Sequence, residues 1–200
     1  MTDGRDKPSW RAEILARRKA LPAEVRAREA AALAAAAAGL GGPSANPGGD
    51  VVCAYVPVGG EPGSLAMLDA LRAAGFRVLL PLTGEPGPLE WAEYTGPEGL
   101  RRGRFGLREP EGAPVANGIA MAATILVPAL AVDCRGVRLG RGAGYYDRSL
   151  DAARADARLI AVVRDDELVR RLPEESHDHR MGWALTPFGG LRRLEDHIGN

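Results

Sequence analysis

The sequence predicts an α/β protein, a three-layer α/β/α sandwich around a mostly parallel sheet. Three observations predict it. Short apolar runs rich in β-branched residues recur at VVCAYVPV (51–58), FRVLLPL (76–82), ATILVPALAVD (123–133) and RLIAVV (158–163), the length and composition of buried strands. Helical segments are interleaved with them. The chain of 200 residues is 46% hydrophobic and 26% charged, which is globular in composition and long enough to bury a core. One domain over 1–200 is expected, with two helices within 9–39, a loop at 41–50 and an α/β core over 51–200.

The elements follow in order. Residues 9–20 read as a helix capped by Ser9, with Trp10, Ile14 and Leu21 toward one face. Pro22 suits the first turn of a second helix that runs to Gly39. GGPSANPGGD (41–50) is a loop. After the strand at 51–58, Ser64 caps the helix LAMLDALRAA and Gly75 ends it. The strand at 76–82 completes a βαβ unit, so the two strands are expected to be parallel with a right-handed crossover. LEWAEY (89–94) alternates apolar with polar residues, an edge strand with one wet face. Residues 95–118 are rich in Gly and Pro and read as irregular. The run 123–133 is the expected central strand. A helix is expected from about Tyr146 to Ala155, then the strand 158–163, a short helix in DDELVRRL and a last strand, WALTP (183–187). Such alternation is Rossmann-like, and ligands then bind beyond the carboxyl ends of the strands.

Composition narrows the partners. Lys+Arg and Asp+Glu number 26 each, and aromatics are 5%, so neither a nucleic-acid surface nor a base-stacking platform is expected. The N-terminus has no apolar signal core, and AALAAAAAGL (31–40) is too short to span a membrane. Cys53 and Cys134 stand in no metal or disulfide spacing and read as two buried thiols in a reducing cytoplasm. His177, His179 and His197 make no metal spacing, and no Ser-His-Asp or Cys-His set indicates covalent catalysis.

The chemistry concentrates in RLGRGAGYYDRSL (138–150). Gly140, Gly142 and Gly144 allow positive φ and can turn several N–H groups toward one anion. Arg138 and Arg141 can fork onto phosphate oxygens. Asp147 opens the following helix, and Mg²⁺ is commonly held by one or two carboxylates plus substrate phosphates. Tyr145 and Tyr146 can stack on a flat ring or pack the loop to the core. No GK[ST] follows, and the spacing is GxGxG, so the loop is neither a Walker A loop nor a dinucleotide fingerprint. A tight β–α turn with Asp147 as a helix-start acid remains the plain structural alternative.

LVPALAVDCRGVRLGRGAGYYDRSL (126–150) closely resembles the signature of the 5-formyltetrahydrofolate cyclo-ligase family. Lys7 and Arg11 are similar to its N-terminal K-x-x-x-R. YVPVGGEPGS (55–64), FGLREP (105–110) and HDHRMGWALTP (177–187) resemble further family segments in order and spacing. Val132 stands where an aromatic is usual, Ala143 where some members have Lys or Gly, and GGEPGS lacks a second acid or threonine.

The resemblance implies an ATP- and Mg²⁺-dependent enzyme that turns 5-formyltetrahydrofolate into 5,10-methenyltetrahydrofolate, ADP and phosphate, acting as a cytoplasmic monomer. It implies Lys7, Arg11, Arg138, Leu139, Gly140, Arg141, Gly142, Ala143, Gly144, Tyr145 and Tyr146 at ATP. Val58, Glu61, Phe105 and Tyr145 would meet the folate, Asp147 and Asp178 the metal. Arg141, Tyr145 and Asp147 would be catalytic. Without the resemblance, Lys7 and Arg11 read as solvated surface charges, Glu61 as a loop carboxylate, and Asp178 as part of a polar turn. Two other functions fit an α/β phosphate site: a non-catalytic folate or nucleotide binder, and a sugar-phosphate isomerase with Glu61 as its base.

Overall fold

The computed structural model describes residues 5–40, 50–84, 87–103, 106–176 and 178–194. Phe105, His177, His197 and all of the expected loop but Asp50 lie outside them.

Helix α1 (Lys7–Ala20) begins two residues before the expected start. Its cap is Asp6, not Ser9: the Asp6 carboxylate accepts from the Ser9 N–H at 2.9 Å, satisfying a free donor of the first turn. Pro8 sits in that turn, where no N–H is needed. The earlier start puts Lys7 and Arg11 one turn apart on the helix. Helix α2 (Ala23–Ala38) follows Pro22, which occupies its N-cap, and ends at Gly39.

The core of the main sheet is parallel. Strands β1 (Val51–Cys53) and β2 (Arg77–Leu82), joined through helix α3 (Leu65–Ala73), pair in parallel as expected of the βαβ unit. On the other side of β1 stand β6 (Thr124–Pro128), β9 (Arg158–Val162) and β11 (Trp183–Thr186), all parallel. Antiparallel edges are added by β3 (Glu90–Glu93) next to β2 and β12 (Gly190–Arg193) next to β11. The order is β12-β11-β9-β6-β1-β2-β3, so β6 is central. The chain moves outward from β1 through β2, then returns to the opposite side at β6. The carboxyl ends of β1 and β6 are therefore the point where the strand order reverses, the place where open α/β sheets form ligand crevices.

Alternation along the strands divides the core. Val52, Leu80, Leu126, Ile160 and Leu185 face α2 and α3 with Leu33, Leu68 and Leu71. Cys53, Leu79, Ile125, Val127 and Ala161 face the other way, against Ile119 of helix α4 (Gly118–Met121) and Leu150 of helix α5 (Tyr145–Leu150). Trp10 and Ile14 of α1 pack on Leu130, Val137 and Leu139.

Several expectations are corrected. The run 123–133 is two strands. After Pro128 the chain leaves β9, and the Leu130 N–H donates to Leu139 O, so that β7 (Ala131–Asp133) joins a second sheet between β8 (Arg138–Leu139) and β10 (Leu168–Val169). The expected helix in DDELVRRL is only a 3₁₀ turn at Asp165–Glu167 leading into β10. Its acids have tertiary partners that hold it in place: Asp165 accepts from Thr186, Phe188 and Gly189, and Glu167 from Arg18. The helix after the glycine loop starts at Tyr145 and stops at Leu150. Strand β3 does not alternate; Trp91 and Ala92 are both buried, because Tyr146 stacks edge-on to Trp91 and Pro114 bridges to Ala92. Within the stretch read as irregular, β4 (Leu100–Arg102) and β5 (Arg108–Pro110) form a hairpin. The sheet ends in β12, beyond the strand taken as last.

The two thiols differ. Cys53 is buried on β1, and burial pushes its pKa far above the ordinary thiol value. Cys134, expected to be buried, is exposed in the turn after β7. A thiol reagent at pH 8 should therefore label one cysteine in the folded protein and two in urea, since only the thiolate reacts. Counting labels by mass spectrometry checks this; two native labels would contradict the burial of Cys53. No helix among the described residues is long and apolar enough to cross a membrane.

Candidate functional site

The crevice at the strand-order reversal is built by three segments. The chain after β1 brings Val58 and Glu61, the chain after β6 brings Ala129 and Leu130, and the glycine loop brings residues 140–147. Together they line a cavity of about 340 Å³. A second cavity of about 140 Å³ lies against Lys7, Arg11, Leu139, Glu175 and Asp178. Gly140, Gly142, Gly144 and Asp147 line both. The glycine loop is thus a shared wall between two pockets, the larger mixing apolar residues such as Val58, Leu107 and Leu130 with Arg18, Glu61 and Arg141, the smaller lined mainly by charged residues and glycines.

The loop's conformation demands its glycines. Gly142 and Gly144 have φ of 100° and 70°, a region that side chains rarely adopt. A Cβ on Gly140 would come 2.7 Å from the Arg138 guanidinium. Arg11 Nε donates to Gly140 O at 2.9 Å and ties the loop to α1. Ser149 Oγ donates to Tyr145 O and accepts from the Leu89 N–H, which fixes the start of α5.

The charged groups form pairs. Lys7 Nζ donates to both Asp178 oxygens, at 2.9 and 3.0 Å, and to Glu175 at 2.9 Å. Burial works against the Lys7 charge, yet its hydrogen bonds to Asp178 and Glu175 outweigh that and raise its pKa. Arg138, buried on β8, donates to the Asp147 carboxylate. Arg141 Nε reaches across the mouth of the larger cavity to Glu61 Oε1 at 3.1 Å, and Glu61 Oε2 accepts from the Val58 N–H. Arg148 lies over the Tyr145 ring, 5.4 Å from its centre.

The residues singled out in the sequence are thus distributed on both sides of one loop. Val58, Glu61, Arg141, Ala143, Tyr145 and Tyr146 line the larger cavity; Lys7, Arg11, Leu139 and Asp178 line the smaller. Tyr146 also borders an adjoining recess with Tyr55 and Pro81, and does not line the Lys7 side. Burial, with Glu61 nearby, pushes its hydroxyl pKa far up. Phe105 lies outside the described residues. Two site residues were missed. Glu175 carries no sequence signal beyond its charge. Arg18 does: it follows Trp10 and Ile14 at helical spacing, a cation on a buried stripe, and it lines the larger cavity.

The chemistry of this donor set suits phosphate and a divalent ion together. Three carboxylates, Asp147, Glu175 and Asp178, border the smaller cavity with three cations, Lys7, Arg11 and Arg138. Among the described residues no three His, Cys, Asp or Glu side chains converge as a full metal cage. Mg²⁺ is usually bound by one or two carboxylates plus substrate phosphates, and Asp147 and Asp178 are the carboxylates that would meet it here.

Comparisons with known proteins point to one family. The chain is 50% identical over 196 residues to a 5-formyltetrahydrofolate cyclo-ligase of Mycolicibacterium smegmatis, covering 95% of this chain and 98% of that protein. It is 28% identical over 141 residues to the 5-formyltetrahydrofolate cyclo-ligase of Escherichia coli K12, covering 68% of this chain and 77% of that one. The NMR structure of the Aquifex aeolicus 5,10-methenyltetrahydrofolate synthetase superposes with a TM-score of 0.74 at 28% identity, over 97% of this chain and 95% of that one. A Mycoplasma pneumoniae synthetase shares the fold, with a TM-score of 0.70 at 16% identity, over 90% of this chain and 98% of that one. Residues 3–187 match the family as a whole, and the chain belongs to the 5-formyltetrahydrofolate cyclo-ligase family.

Proposed function

We infer that the protein uses MgATP to convert 5-formyltetrahydrofolate to 5,10-methenyltetrahydrofolate, with release of ADP and phosphate. The observation that carries this reading is the glycine loop shared by two cavities, one able to take a triphosphate and the other a flat ring system. A formamide oxygen is a poor leaving group. Transfer of the γ-phosphoryl group to it gives an iminium phosphate at N5; N10 then attacks, the ring closes and phosphate departs. The protein's task is to align the formyl oxygen with the γ-phosphate and hold the charge in transfer.

On this reading Lys7, Arg11, Arg138 and Arg141, with the backbone of residues 139–144, hold the triphosphate. Asp147 and Asp178 would hold Mg²⁺, which when bound screens the β- and γ-phosphate charge. Glu61 accepts from the pterin's amino and ring N–H groups, Val58 and Tyr145 flank the ring, and Phe105 belongs to the same group by resemblance. The position of Tyr146 in the larger cavity supports a folate-side role over its nucleotide assignment. Arg141 and Glu61 now hold each other, so phosphate binding releases Glu61 for the pterin. The family match over residues 3–187 weighs against a sugar-phosphate isomerase. Intact Lys7, Arg141 and Asp147 weigh against a binder that has lost turnover.

We read the fold further as a single three-layer, Rossmann-like domain, supported by core clusters on both sheet faces. The protein would act as a cytoplasmic monomer on two small substrates, with neither nucleic acid nor membrane as partner; its formal net charge of zero supports that.

Purified protein mixed with 5-formyltetrahydrofolate and MgATP is expected to show the near-ultraviolet absorbance rise of the methenyl product, dependent on both ATP and Mg²⁺. ATP binding without that rise would favour the non-catalytic binder. Lys7→Met should weaken ATP about 10- to 100-fold, the range for a charge-assisted hydrogen bond, and leave folate affinity within about twofold. Calorimetric titration of each ligand checks the split, and equal loss for both would move Lys7 out of the nucleotide side.

A further inference from the structure

Three buried side-chain donors around the larger cavity have no hydrogen-bond partner among the described residues: Arg18 Nη1, Arg138 Nε and the Tyr146 hydroxyl. Buried polar groups are rarely left so, and a cluster of them at one cavity points to a ligand that completes them. Arg138 belongs to the phosphate side already described. Arg18 does not, and its geometry is the most constrained.

Arg18 is 2% exposed. Its Nε and Nη2 donate to the two oxygens of Glu167, each at 2.7 Å. Nη2 also donates to Ala129 O at 2.7 Å. The guanidinium is therefore fixed on two edges. Nη1 shares with Nη2 the edge turned toward Ala129 and Leu130, and both of those residues line the larger cavity. Arg18 also borders a smaller recess with Glu29 and Arg164, but that recess lies on the Glu167 side. The stem of Arg18 lies against Gly60, where an added Cβ would come 3.1 Å from the Arg18 Cβ, and the next residue is Glu61.

A carboxylate acceptor and a fixed N–H donor lining one cavity are the complement of a ring edge that reads amino, ring N–H, carbonyl. That is the edge of the reduced pterin. We propose that Arg18 is a specificity-determining residue of the folate pocket, its Nη1 donating to the pterin's lactam carbonyl while Glu61 accepts from the adjacent amino and N–H groups. The assignment rests on the folate reading above. It makes Arg18 a reader of the ring rather than a participant in phosphoryl transfer. A donor held in place before binding loses little entropy when it engages, so discrimination against a ring without the carbonyl should be large.

The test compares 5-formyltetrahydrofolate with its 4-amino-4-deoxy analogue, which presents a donor where the carbonyl was. Both are titrated into wild type, Arg18→Lys and Glu61→Gln, with ATP affinity and urea melting as controls. Wild type should prefer the parent by about 100-fold or more. In Arg18→Lys that ratio should fall at least about tenfold, with ATP affinity unchanged, because the lysine has no second nitrogen to turn into the cavity. In Glu61→Gln a preference of about tenfold should persist through Arg18, a readout that stands even where Arg18→Lys does not fold. An unchanged ratio in folded Arg18→Lys, or loss of all preference in Glu61→Gln, overturns the assignment of Arg18 alone. Wild-type protein that binds no 5-formyltetrahydrofolate overturns the folate reading itself, and this assignment with it.

Discussion

Asp147→Asn is expected to lower kcat/KM for formation of the methenyl product by about 10³-fold, roughly 4 kcal/mol of transition-state stabilisation. The amide keeps the shape of the carboxylate, and its carbonyl can still accept from Arg138 Nη2, so the loop and α5 should fold as before. What is lost is the negative charge at the one carboxylate that borders both cavities. Lys7 pairs with Asp178 and not with Asp147, so the rest of the charged pocket is untouched. The absorbance assay at saturating ATP reads the loss, and a urea midpoint within error of wild type confirms the fold. Activity within about tenfold of wild type would return Asp147 to the role of a helix-start acid.

Glu167→Ala is expected to be the most destabilising single change, by about 3–5 kcal/mol. Glu167 is 2% exposed and binds Arg18 on both oxygens, while its Oε2 also accepts from the Arg164 backbone N–H. Arg164 in turn donates to Glu29 of α2 and to Gly60 O. Four buried charges thus tie α1, α2 and the end of β9 to the loop that carries Glu61. Removing Glu167 leaves Arg18 with carbonyl partners only, and a buried cation without its counter-charge is costly. For a chain of this length the melting temperature should drop by about 6–20 °C. Urea unfolding with an unchanged slope and a lowered midpoint would confirm it; a loss below about 1 kcal/mol would show that water replaces the carboxylate.

Much of this was legible in the chain itself. The βαβ unit was readable from two apolar runs around a capped helix, because local periodicity and burial act in the same direction there. Glycine spacing with Arg138, Arg141 and Asp147 pointed to the loop that lines both cavities, since positive φ, cation and carboxylate are each visible one residue at a time. The failures share a cause. The run 123–133 is uniformly apolar, and periodicity alone says nothing of where Leu130 exchanges β9 for a bond to Leu139. DDELVRRL has helical composition, yet Asp165 and Glu167 are drawn to partners far along the chain. Strand β3 looked half-wet because the coverage of Ala92 by Pro114 is a long-range contact. Arg18 was overlooked although its spacing from Ile14 placed it on the buried face; its meaning depends on Glu167 and Ala129, which only the fold brings to it.

The two cavities are bordered by five cations, Lys7, Arg11, Arg18, Arg138 and Arg141, and four carboxylates, Glu61, Asp147, Glu175 and Asp178, and Arg18 has its own counter-charge in Glu167. Opposite charges this close cancel one another at distances beyond a Debye length, about 8 Å at physiological ionic strength. The crevice therefore casts little long-range field, and the chain as a whole carries no formal net charge. A nucleotide approaching from bulk water is not steered; it meets the site by plain diffusion, and its rate of arrival is set by the width of the mouth and not by the salt around it. Stray anions are equally unattracted, so a site rich in guanidinium stays open for a ligand that brings both signs of charge at once.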